Sequence, residues 1–290
     1  RMRALLADDL LAMDDARAVE LLTESAEAGY GVAMRLLGAR YWNGDGVTKD
    51  IAKAHEWYLK AGEAGDGLAL VWLAGNYHSG NGVEKSFAKH EEFMLKAAEK
   101  DYPAALTYLG VRYENGNGVT KDLTKANELY QKAGDQGDGM AYRYLGINYA
   151  NGNGVTKDLA RANGLYRKAG ELGDGGGYNS LGINYVNGAG VEKDLAKACE
   201  YYRKAGELGE PLGFVNLGVH YENGSGVEKD PVKANEHYQK AIEMGNTTAM
   251  RYLAKNFANG VGVAKDVEKA KELYLQAGKL GDGLGFGALG

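Results

Sequence analysis

At 290 residues the chain is at the upper limit for one compact core, so either two domains or a repeat array is expected. Glycine supplies 44 residues and proline 3, yet 44% of the chain is apolar and 20 residues are tyrosine, which argues for a folded chain whose glycines recur where the backbone needs them. The net charge of −5 comes from interspersed acids and bases, and Cys199 is the single cysteine, so nucleic acid, an anionic membrane surface, an internal disulfide and a cysteine-built metal site are all disfavoured.

In chain order, the opening Arg1-Met2-Arg3-Ala4-Leu5-Leu6 runs at once into Asp8 and Asp9. It is too acidic for a signal peptide, and a chain beginning at Arg1 is expected to be a processed or trimmed product. No apolar run approaches the ~18 residues of a membrane span, so membrane insertion is not expected. From Asp14 to Ala28-Gly29-Tyr30 the pattern matches the second helix of the units that follow, and residues 1–30 read as an N-terminal half-repeat.

From Gly31 the chain repeats itself with a gapless period of 36. Units begin at Gly31, Gly67, Pro103, Gly139, Gly175, Pro211 and Thr247, giving seven over residues 31–282 and a truncated eighth over 283–290. An array that stops in mid-helix lacks a polar cap, so the natural protein, or a partner, is expected to continue after Gly290.

In the unit from Gly139 to Asp174, the spacing predicts a first helix over about Met140–Tyr149. Tyr142, Leu145, Gly146 and Tyr149 share one face. The central position is glycine in every copy except Ala74 and Ala254. A mid-helix glycine costs ~0.5–1 kcal/mol relative to alanine, so its recurrence implies close packing. The loop Asn151–Lys157 carries a Gly-x-Gly-Val found in all seven copies, which predicts left-handed backbone at a helix end. Asp50, Ser86, Asp122, Asp158, Asp194, Asp230 and Asp266 follow as N-caps, with Pro231 fitting a first helical position. The second helix, about Leu159–Leu172, is expected to bury Ala162, Leu165, Tyr166 and Ala169 and to end at a glycine, Asp101 being the exception.

With Leu109-Gly110, Tyr113, Gly116-Asn117-Gly118-Val119, Asp122, Lys125-Ala126, Leu129-Tyr130 and Ala133-Gly134, the chain resembles the Sel-1-like repeat, a relative of the tetratricopeptide repeat. One departure recurs: glycine stands where the family has a second alanine, at Gly62, Gly134, Gly170, Gly206 and Gly278. The resemblance implies an all-α fold, a right-handed superhelical solenoid of helix–loop–helix repeats, and a role in holding other proteins together. It also implies bacterial settings: exported host-interaction factors, envelope adaptors and immunity partners of secreted toxins. On that basis the periplasm, the cell envelope or secretion is expected, with the cytoplasm as the alternative.

Several motifs that suggest chemistry lose their force in the repeat register. Ser86-Phe87-Ala88-Lys89 spells the Ser-x-x-Lys of penicillin-recognising hydrolases, but Ser86 occupies the capping column and Lys89 that of Lys53, Lys125 and Lys197. Gly285-x-Gly287-x-x-Gly290 spells a dinucleotide fingerprint outside a strand-to-helix context. The Asn115-Gly116-Asn117-Gly118 loops lack the acids of a calcium site. The five histidines, His55, His78, His90, His220 and His237, show no metal-ligand spacing on one helical face. No catalytic residue, metal or cofactor is therefore assigned.

Positions that differ between copies are free of the repeat's own demands. On the first helices, opposite the core, they form a stripe expected to line a concave groove: Arg40, Trp72, Asn76, Tyr108, Arg112, Tyr144, Asn148, Asn184, His220, Tyr252 and Asn256. Aromatics, amides and arginine are what interfaces favour. The expected partner is another protein or extended peptide, a secreted effector or toxin among the candidates. A carbohydrate or peptidoglycan ligand is the alternative, since sugars also stack on Tyr and Trp. The opposing reading is that the tyrosines pack between first helices and the amides cap helix ends.

Overall fold

The computed structural model describes residues 15–283. The N-terminal segment 1–14 and the glycine motif at Gly285–Gly290 lie outside the described residues. Among the described residues there are fifteen α-helices and no strands: α1 Asp15–Glu27, α2 Gly31–Asn43, α3 Ile51–Glu63, α4 Gly67–Ser79, α5 Phe87–Glu99, α6 Pro103–Asn115, α7 Leu123–Asp135, α8 Gly139–Asn151, α9 Leu159–Glu171, α10 Gly175–Asn187, α11 Leu195–Glu207, α12 Pro211–Asn223, α13 Pro231–Glu243, α14 Thr247–Asn259 and α15 Val267–Lys279. Even-numbered helices are the first of each pair and odd-numbered ones the second. The result is an all-α repeat solenoid. Two compact units are distinguished, Arg1–Ala133 and Gly134–Gly290.

Every second helix of the seven full pairs starts on a side-chain cap. Asp50 accepts from the Lys53 N–H at 3.0 Å and Asp158 from that of Arg161 at 2.8 Å, and Ser86 does the same for Lys89. The column tolerates Asp and Ser because either oxygen satisfies one of the orphan donors of the first turn. A second capping column was not anticipated. Asp66, Asp138, Asp174 and Asn246 cap the first helices, and Arg35, Arg143 and Arg251 of the preceding first helix bind the Asp66, Asp174 and Asp282 carboxylates at 2.7–2.9 Å.

The loop glycines have two distinct jobs. The first of each pair, such as Gly44 at φ +89°, closes the helix in the left-handed region. The second, at Gly46, Gly82, Gly190, Gly226 and Gly262, sits on the start of the preceding second helix: at Gly262, φ +67°, an added Cβ would collide with the Pro231 carbonyl. Asp101, where the other units have glycine, takes the same left-handed conformation at φ +57°.

The core explains the remaining small residues. An added Cβ at Gly38, Gly146 or Gly182 would lie 2.7 Å from the ring of Tyr58, Tyr166 or Tyr202. The mid-helix glycine thus makes room for a second-helix tyrosine laid against it. Where alanine replaces it at Ala74, the residue in the tyrosine's register position is Met94, also buried. The unusual glycines of the second helices tighten packing in the same way. At Gly134 and Gly206 a Cβ would meet Tyr142 at 2.5 Å and Phe214 at 2.6 Å from the next first helix. Leu37, Leu73, Leu181 and Leu217 are at most 1% exposed, and each such burial is worth ~1.5–3 kcal/mol. Ala162, Leu165, Tyr166 and Ala169 are buried as expected. Val191 and Val227 pack from the loops onto the core around Tyr166, Tyr185 and Tyr202.

Candidate functional site

One column of the first-helix stripe turns inward. Arg112 on α6 is 8% exposed; its guanidinium pairs with Glu91 on α5, and its Nε donates to the Asn117 carbonyl at 2.8 Å. Asn76 Nδ2 on α4 lies 3.1 Å from His55 Nε2 on α3. In the second unit Asn184 donates to Asn163 Oδ1 at 2.6 Å, and Asn256 to Asn235 Oδ1 at 2.8 Å and Glu222 Oε2 at 3.3 Å. Asn163 and Asn235 donate in turn to the loop carbonyls of Ala189 and Val261, at 2.8 and 2.9 Å. His220 Nδ1 donates to the Ser225 carbonyl at 2.7 Å, which the Cys199 thiol also approaches at 3.5 Å.

These pairs are polar rungs, 21 residues apart in sequence, that tie a second helix to the next first helix. The buried donors of these rungs are satisfied there, as burial demands, while Asn256 Oδ1 is buried without a partner. Asn148 is fully buried and accepts from Asn153 Nδ2 at 3.3 Å. Arg40, whose 21-residue counterpart is the apolar Val19, binds Asp15 at 2.5 Å instead. The sequence expectation of an exposed stripe therefore needs correction at Arg112, Asn148, His220 and Asn256, which have almost no surface to offer a partner. The signal was present in the sequence: Glu91 faces Arg112 in one copy, where Asn163 and Asn235 face Asn184 and Asn256 in others.

The aromatic positions of the stripe stay half-buried with an open edge. Tyr108 meets His90 edge-on at 5.5 Å, Tyr144 lies 5.2 Å from the Arg143 guanidinium, and Tyr252 stacks on the buried Tyr238 at 5.3 Å. One turn on, Ile183 and Lys255 are exposed. Trp72 borders an open cavity of the stripe in the first unit, of about 290 Å³ and lined by Ala39, Trp42, Asn43, Tyr58, Trp72 and Asn76.

A second hollow, of about 410 Å³, is bordered by Tyr77, Val83, Glu84, Lys85, Ser86 and Lys89. It contains the Ser-x-x-Lys motif, but Ser86 Oγ is the helix cap and accepts from the Lys89 N–H at 3.3 Å. The Lys89 ammonium lies 4.7 Å from the Tyr77 ring, and Lys125, Lys197, Lys233 and Lys269 repeat that contact on Tyr113, Tyr185, Tyr221 and Phe257. Phe257 has no hydroxyl, so the contact is a recurring cation–π pair of the repeat rather than a reactive dyad.

The fold brings His78 and His90 to a 5.1 Å ring separation, a pairing that helical spacing did not reveal because they lie on successive helices. Among the described residues no cluster of three metal-ligating side chains forms. Burial lowers the pKa of His55 and raises the Cys199 thiol to about 11, which leaves Cys199 protonated and unreactive near neutrality. His237 stacks against Phe214 and Tyr221; burial first, then Lys240 and Arg203, lowers its pKa to about 4. Among the described residues no helix is long and apolar enough to cross a membrane.

The sequence model of the Sel1 repeat matches residues 8–30, 31–66, 67–102, 103–138, 139–174, 177–210, 215–246 and 247–282. Among curated proteins no match is found. Among solved structures, the chain is similar to a protective antigen of uropathogenic Escherichia coli strains that displays an SLR fold: 34% identity, 92% of this chain, TM-score 0.72. The chain spans 57% of that antigen's length. A Sel1 repeat protein from Oxalobacter formigenes is 28% identical over 97% of this chain and 83% of its own, with TM-score 0.70. An immunity protein from Pseudomonas aeruginosa shares the fold at 24% identity, over 74% of this chain and 81% of its own, with TM-score 0.53.

Proposed function

This chain belongs to the Sel1-repeat family, whose members are protein-interaction scaffolds, and from that premise we propose that it holds a protein or extended peptide against the outward stripe of its first helices, without chemistry of its own. The observation that carries the reading is the division of the stripe. Arg112, Asn148, His220 and Asn256 are enclosed, while Trp72, Tyr108 and Tyr144 are half-buried and Ile183 is exposed. Tyr and Trp held rigid by neighbours bind at low entropic cost. The partner class we favour is a secreted effector or toxin, or a host-facing protein. That a protein 34% identical is a protective antigen of uropathogenic Escherichia coli strains supports a host-facing setting.

Affinity capture from envelope and cytosol fractions of the source organism tests this reading. Tyr144→Ala with Ile183→Ser should abolish capture of a specific protein while leaving the helical circular dichroism melt within ~1 kcal/mol of wild type. Capture that survives both substitutions refutes the stripe as the binding surface.

A further inference from the structure

The cavity between α2, α3 and α4 has a composition that selects among ligands. Two of the chain's three tryptophans, Trp42 and Trp72, line it together with Tyr58, and its polar groups are the amides of Asn43 and Asn76, the two indole N–H groups and the Tyr58 hydroxyl. The walls are held from behind. Tyr58 lies against Gly38 and meets Trp72 edge-on at 5.4 Å. The Arg35 guanidinium, anchored on Asp66 at 2.9 Å, sits 5.4 Å from the Trp72 ring centre. Trp42 packs 5.8 Å from His55, and His55 is held by Asn76 at 3.1 Å. Rings fixed in this way need little ordering when a ligand arrives.

The lining carries no charged side chain, so the ligand group it fits is neutral. At about 290 Å³ the cavity is at the small end of ligand sites and suits one residue of a chain lying across it. Hydrogen-bond capacity then separates the candidates. Asn43 Nδ2 already donates to Asp45 Oδ2 at 3.1 Å, and Asn76 Nδ2 is engaged by His55. Each amide nitrogen thus keeps one hydrogen for a ligand, the two indole N–H groups are further donors, and the lining's acceptors are the amide oxygens and the Tyr58 hydroxyl, with no carboxylate among them. A pyranose brings several hydroxyls, each needing an acceptor as well as a donor, and the lining sets only the two amide oxygens and the Tyr58 hydroxyl against them. A proline has no backbone N–H to satisfy, offers a carbonyl to an amide hydrogen, and lays a flat apolar ring on an aromatic wall. Extended polyproline segments dock on aromatic-lined grooves for these reasons.

Building on the scaffold reading, we propose that the Trp42–Trp72 cavity is the anchor for a proline within an extended, polyproline-like segment of the partner. Tryptophan emission reads this directly, because Trp57 lies outside the lining under Lys60 and serves as an internal reference. The full chain is titrated with a decaproline peptide, a Gly-Ser peptide of equal length, and chitotriose. Decaproline should shift the emission saturably and the other two should not. Trp42→Ala and Asn43→Ala should each weaken decaproline binding by ~10-fold or more, while Lys255→Ala, in the other unit, leaves it unchanged. Asn43 and Lys255 are exposed, so neither variant endangers the fold. No saturable response to decaproline, an equal response to Gly-Ser, or a chitotriose response that Trp42→Ala removes each overturns the proposal. Partner capture that persists without decaproline binding overturns the proline assignment alone. Decaproline binding without any partner capture keeps the assignment and removes the scaffold reading.

Discussion

The rung at Arg112–Glu91 in the first unit and the rung at Asn256–Asn235 in the second occupy the same columns with different chemistry. In one an ion pair ties α5 to α6; in the other an amide pair ties α13 to α14. The loops adjust to match. Gly262 rests on the Pro231 backbone, whereas Gly118 meets the end of the Arg112 guanidinium. Variation between copies is therefore of two kinds, compensated change within a contact and free change on a surface. Only the second kind bears on recognition.

The largest effect should come from the loops. Gly262→Ala and Gly118→Ala share the cost of a left-handed alanine, ~1–2 kcal/mol. Only Gly262→Ala also forces a Cβ into fixed backbone, so it should lose ~3–4 kcal/mol against ~1–2 for Gly118→Ala. Equal losses in denaturant melts would show that the two loops are not seated differently.

The rung itself is next. Arg112→Ala should cost ~2 kcal/mol by leaving the Asn117 carbonyl and Glu91 without their donor. Installing the other unit's chemistry, Arg112→Asn with Glu91→Asn, should recover at least ~1 kcal/mol relative to Arg112→Asn alone. A double-mutant cycle that closes to zero coupling would mean the column is not a rung.

A smaller effect is read by pH at His237 in the second unit. The His237 pKa is lowered from 6.5 to about 4, so the folded protein favours the neutral ring and the unfolded chain binds the proton more readily. Its stability contribution is present above pH 6.5 and is lost as pH falls toward about 4. Because the ring is partly exposed, ~1–2 kcal/mol is expected over that window. His237→Phe, which keeps the stack on Phe214 and Tyr221, should flatten this part of the melt-versus-pH curve. An unchanged slope would assign the pH dependence to other groups.

The helix pairs, the Asp and Ser caps and the glycine turns were legible in the sequence because each is a local demand repeated at one period. The space-making glycines were legible as a column, but not in purpose: only the structure shows Tyr58 or Tyr166 against them. The rungs were misread as binding positions because pairing across units leaves no trace in a single helix's periodicity. Asn184 reads as a surface amide until Asn163 is placed opposite it. The Trp42–Trp72 cavity escaped for the same reason, since its walls come from three helices.

Site-specific photocrosslinking tests the central division most directly. Ile183 and Leu172 both lie in the second unit with similar exposure, 40% and 45%, one on the first-helix stripe and the other at the end of a second helix. A photoreactive residue at 183 should crosslink the captured partner, and one at 172 should not. Crosslinks from 172 with none from 183 would contradict the account.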